Sequence, residues 1–167
     1  VEQFMRRYYQ VARKVDRLNW IFLRKYQEET RKVHWWNRRT IDESFEKLAG
    51  NVALIDKKGF KKDPTLMMSL FEVAQKQLLP IHPETLRLVT RNLKHIDGAF
   101  RRNPKVIASF LRMLNGKRAV AWVLGRMNDV GLLGRFIPEF GRIIGQTQHD
   151  LFHVFTVDEH TIKAVEA

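Results

Sequence analysis

Three times in the middle of this chain a residue able to cap a helix is followed directly by proline: Asp63-Pro64, His82-Pro83 and Asn103-Pro104. Proline has a fixed φ and no amide hydrogen, so the first turn of a helix tolerates it and a helix interior or central strand does not. Each pair therefore marks a place where one element ends and a helix begins. The runs that follow carry apolar residues at helical spacing. They are Leu66, Met67, Leu70, Phe71, Ala74 and Leu78; then Leu86, Val89, Leu93, Ile96 and Phe100; then Val106, Ile107, Phe110, Leu111 and Leu114. Asn115-Gly116 supplies a stop. A further helix carries Val120, Val123, Leu124 and Met127 and ends at Gly131, and a short one spans Leu132–Ile137 before Pro138. The fold class read from this punctuation is all-α, an irregular helical bundle. Met67, Met68 and Met127 fall on the apolar faces and are expected to fill the core.

The segments before Lys62 are less uniform. Phe4, Tyr8, Val11, Val15, Leu18 and Phe22 alternate at four- and three-residue spacing, which draws a narrow seam along one helix and calls for a partner. Residues 45–55 read as a small β-hairpin, two short strands around a Gly50-Asn51 turn. Trp35 and Trp36 precede it and are expected to bury against a neighbouring helix.

Charge and cysteine usage narrow the setting. There are no cysteines, which removes disulfides and thiolate metal sites and fits a reducing, cytoplasmic compartment. No apolar run approaches the roughly 20 residues needed to cross a bilayer. Both ends look like cut edges of a longer polypeptide: the start lacks a methionine and already reads as helix, and the finish falls a few residues into another helix. The net charge of +12 is uneven. Residues 1–62 hold 16 Lys and Arg against 8 Asp and Glu; residues 87–142 hold 12 against 3; from Ile143 onward a single lysine faces four acids. Arg101, Arg102, Arg112 and Arg118, in the second block, are the candidates for contact with an anion or an acidic partner surface. The plainer reading is a solvated set of basic helix faces.

The chemistry-bearing residues cluster near the C-terminus. His149, Asp150, His153, Asp158 and His160 lie within twelve residues, and His149 and His153 are spaced four apart, one face of a helix. Thr156 followed three residues later by Glu159 is a capping box, so a helix is expected to start at Thr156 with His160 in its first turn. The H-E-x-x-H zinc signature is absent. His149, Asp150 and His153 are therefore weak metal candidates, and a structural role for the two histidines is the simpler expectation.

The run FIPEFGRIIGQTQHDLFHVFTVDEHT, Phe136 to Thr161, closely resembles the segment that leads into the HD hydrolase domain of bifunctional PII uridylyltransferase/uridylyl-removing enzymes. RRYYQVARKVDRLN, Arg6 to Asn19, resembles the helix that follows the nucleotidyltransferase domain of that family, and the middle is similar in layout. The resemblance implies a fragment: residues 1–145 as a helical connector and 146–167 as the start of the HD domain. It implies that the parent moves UMP from UTP to a tyrosine of the PII signal protein, removes it hydrolytically, and responds to glutamine. It implies Mg2+ or another divalent metal in the parent, with His160 matching the first histidine of the H…HD…D set. A catalytic metal needs several protein ligands. No ion is therefore expected to be held tightly by this chain, and the fragment alone is expected to be inactive. Two rival readings are a basic helical nucleic-acid-binding module and a helical domain of a glutamine synthetase adenylyltransferase-like enzyme. Against the first, the sequence has no RNA-recognition, KH, zinc-finger or helix-turn-helix signature.

Overall fold

A computed structural model of the chain describes residues 38–146 and 156–165, together with isolated positions between residues 4 and 19. Three short strands come first: β1 (Arg38–Thr40), β2 (Phe45–Leu48) and β3 (Asn51–Leu54), paired antiparallel in that order. The hairpin is where the sequence placed it, but its turn sits one residue earlier. Ala49 and Gly50 both take positive φ, 49° and 79°, and Asn51 opens β3 while its side-chain amide donates to the Ala49 carbonyl at 3.0 Å. Positive φ at both central residues matches the right-handed twist of the strands they join. The third strand, β1, was not evident from the sequence. It is exposed throughout and held partly by a two-pronged ion pair, with Arg38 Nε and Nη2 donating to Glu46 at 2.9 and 2.7 Å.

The helical body follows: α1 (Gly59–Lys62), α2 (Leu66–Gln77), α3 (Pro83–Asn92), a 3₁₀ turn at Leu93–His95, α4 (Gly98–Arg102), α5 (Pro104–Leu114), α6 (Val120–Asp129), α7 (Leu132–Phe136) and α8 (Pro138–Ile143). The proline boundaries hold with one shift. His82 Nδ1 caps α3 by accepting from Glu84 N at 3.2 Å, and Asn103 caps α5 by accepting from Lys105 N at 2.9 Å. At Asp63-Pro64 the aspartate instead closes a turn onto Thr65, and α2 starts two residues after the proline. The apolar run from Leu86 to Phe100 is not one helix. It breaks at Asp97, whose carboxylate accepts from Phe100 N at 2.9 Å and caps α4.

Helix α2 is the axis of this body. It buries Met67, Met68, Leu70, Phe71 and Ala74, and β3, α5 and α6 pack along it. Each large apolar side chain so buried contributes about 1.5–3 kcal/mol. Met67, Met68 and Met127 are fully buried, as their spacing requires. The sheet is tied to the helices by the segment after α2: Val52 N donates to the Pro80 carbonyl and His82 N to the Val52 carbonyl, both at 2.8 Å. Two apolar stripes face outward instead. On α5, Ile107, Leu111 and Leu114 are exposed, and in the N-terminal segment Phe4, Tyr8, Val11, Val15 and Leu18 are exposed as well. Phe22, Trp35 and Trp36 lie outside the described residues. None of the described helices is long and apolar enough to cross a membrane.

Candidate functional site

Two features control how the histidine-bearing end meets the helical body. The first is the crossing of α7 and α8. Gly134 and Gly141 meet there so closely that a Cβ on Gly141 would fall 2.6 Å from the Gly134 carbonyl oxygen, and one on Gly134 would lie 3.0 Å from the Gly141 Cα. Only glycine at both positions lets these two short helices touch backbone to backbone. The second is Gly145, just beyond α8, whose positive φ of 70° turns its N–H inward.

The described chain stops at Gln146 and resumes at Thr156. The Val157 amide donates to the Gln146 carbonyl at 2.9 Å, which places Val157 beside the end of the body. Helix α9 (Val157–Ala164) then begins with Thr156 at its N-cap, the start the sequence predicts. The threonine half of the capping box does not form. Thr156 makes no side-chain cap hydrogen bond and is itself buried, and the first helical bond runs from His160 N to the Thr156 carbonyl at 2.9 Å.

Helix α9 buries only two side chains, Asp158 and Ile162, which share one face. Asp158 is fully buried. Its Oδ2 accepts from Asn128 Nδ2 at 2.7 Å and its Oδ1 from Gly145 N at 3.0 Å, so one carboxylate joins α6, the end of α8 and α9. His160, two residues on, is about 200° further around the helix by the 3.6-residue turn, and it is exposed. Sequence reasoning counted Asp158 in the C-terminal cluster but did not foresee its burial, because an acid in the first turn of a helix is ordinary.

The remaining candidates separate. Arg112 meets Glu72 across the α2–α5 seam, with Nε at 2.7 Å and Nη2 at 2.9 Å, and Lys76 and Ser109 complete the cluster. Burial pushes the Glu72 carboxyl up, but hydrogen bonds from Arg112, Lys76 and Ser109 outweigh it and bring it to about 2. Arg112 is therefore committed to a structural ion cluster. Arg101 donates to the Arg135 carbonyl at 3.3 Å, while Arg102 and Arg118 are exposed on separate segments. His149, Asp150 and His153 lie outside the described residues. Among the described residues no three His, Asp or Glu side chains converge as a metal set, so His160 offers a single donor and does not by itself fit a divalent ion.

Comparison with known proteins gives this geometry a family. The family model of the uridylyltransferase GlnD third domain matches residues 45–136, from β2 through α7. The bifunctional uridylyltransferase/uridylyl-removing enzyme of Bordetella pertussis is 39% identical over 166 residues, covering 98% of this chain and 19% of that enzyme. The enzymes of that name from Caulobacter vibrioides and Azospirillum brasilense are 38% and 36% identical, each over 99% of this chain and 19% and 18% of their own length. The chain thus spans about a fifth of the relatives it matches. No solved structure matches it.

Proposed function

Because this chain belongs to the uridylyltransferase GlnD family, whose third domain it carries, we propose that it is the helical connector of a bifunctional enzyme that attaches UMP to the PII signal protein and removes it. Residues 1–145 serve as the connector and 146–167 open the hydrolase domain. The transfer from UTP and the glutamine response belong to other parts of the enzyme. His160 would be the first metal-ligand histidine of the removing site; together with ligands from the rest of the enzyme it would hold a divalent ion, Mg2+ or a relative, which would supply Lewis-acid chemistry there. This chain's part is to hold the histidine helix at a fixed angle to a rigid body. Arg102 and Arg118 are the proposed contacts for acidic or phosphate groups, and the whole enzyme works in the cytoplasm.

The observation that carries this reading is the third-domain match over β2 to α7, the part of the chain in which the hairpin and most helices share one hydrophobic core. Two assays test it. The 167-residue chain, given PII, labelled UTP and Mg2+, is expected to leave PII unlabelled and to release no UMP from labelled PII; turnover in either direction overturns the scaffold role. In the full enzyme, His160→Ala is expected to abolish removal and spare transfer. Retained removal excludes His160 as a ligand. Binding of random duplex DNA that weakens steeply with salt would instead favour the nucleic-acid reading.

A further inference from the structure

We propose that Asp158 is a positioning residue that sets the rotation of α9 on the helical body and so decides the side on which His160 is presented. The inference rests on the reading of His160 given above and names what holds that residue in place. Asp158 is fully buried, and its two carboxylate oxygens are taken by donors from two different elements, Asn128 on α6 and the Gly145 amide after α8. Two bonds to one planar group, from fixed points on either side, define an orientation as well as a distance. Ile162 is the other buried residue of α9 and lies on the same face, one turn along. With that face turned inward, His160 must point away from the body, where it is exposed.

Apolar contact alone would not fix this setting. A single isoleucine tolerates rotation and sliding of a short helix, because apolar burial is non-directional. A buried carboxylate does not, since any rotation that withdraws it from its donors leaves buried polar groups unpaired. The backbone bond from Val157 to Gln146 closes the same corner.

The test uses the full enzyme, with transfer and removal of UMP measured in parallel. Asp158→Ala is expected to lower removal at least tenfold while changing transfer less than twofold. Asp158→Asn should also lower removal, because without the carboxylate both hydrogen bonds lose their charge assistance. The swapped pair Asn128→Asp with Asp158→Asn restores a carboxylate opposite an amide donor, and it is expected to recover a substantial part of removal. Equal loss of both activities, or no rescue by the swap, would overturn the positioning role. Asn128→Ala, which deletes one donor and keeps the carboxylate, should lower removal by less than Asp158→Ala; an unchanged rate counts against the proposal. An otherwise wild-type enzyme in which His160→Ala leaves removal intact sinks the reading of His160 instead, and so separates the two failures.

Discussion

Two helices of this chain are docked through a buried acid, and the dockings differ in what surrounds it. At the α2–α5 seam Glu72 is met by Arg112, Lys76 and Ser109, and α2 also buries five large or small apolar residues beside it. At the α9 seam Asp158 is held by a side-chain amide and a backbone N–H, and only Ile162 is buried with it. The first acid is one contribution among many to a continuous core. The second is half of everything α9 buries. The same residue class thus secures a rigid body in one place and sets an angle in the other. A short helix that buries one apolar side chain gains little direction from apolar contact, so its setting has to come from hydrogen bonds.

That contrast can be broken most severely in the body. Phe71→Ala, at a fully buried site on α2, is expected to cost about 3–5 kcal/mol in chemical denaturation, through lost burial and the cavity left behind. A loss below about 1 kcal/mol would mean that α2 is not the axis. Glu72→Gln should cost about 2 kcal/mol near neutral pH, a figure reduced because Arg112 and Lys76 are largely exposed. The pH dependence fixes the sign. Glu72 titrates at about 2 in the folded chain against 4.5 for an ordinary glutamate, so its contribution is present above about pH 4.5. It is lost as pH falls through about 2, and Glu72→Gln should flatten that part of the acid stability curve. Asn103→Ala removes the α5 cap and is expected to cost about 1 kcal/mol. Leu111→Ser, on the exposed stripe of α5, should change stability by less than about 0.5 kcal/mol; a larger loss would show that the stripe is covered.

Much of this was legible in the residues, for reasons that can be named. The starts of α3 and α5 follow from His82-Pro83 and Asn103-Pro104, because a cap and a proline act locally. The α2 core follows from its spacing. What was not legible depends on partners distant in sequence. Strand β1 exists because Arg38 finds Glu46 and its backbone finds β2, neither of which is written in Arg38-Arg39-Thr40 itself. The break at Asp97 was hidden by an apolar period that continues across it, although Asp97-Gly98 is a turn signal. The exposure of Ile107, Leu111 and Leu114 on α5 was not legible, because spacing records that a face is apolar and says nothing of whether another element covers it. At the site, the helix start at Thr156 was visible and His160 was found through family resemblance. The burial of Asp158 was missed, since it is decided by Asn128 and Gly145, thirty and thirteen residues away.

The account stands most directly on whether α9 needs Asp158 to stay docked. Hydrogen exchange of the 167-residue chain, followed by mass spectrometry, compares peptides from α9 and from α2 in the wild type and in Asp158→Ala. The account predicts that the α9 amides exchange at least tenfold faster in the variant while those of α2 keep their protection. Unchanged exchange in α9, or an equal rise in both helices, would contradict it.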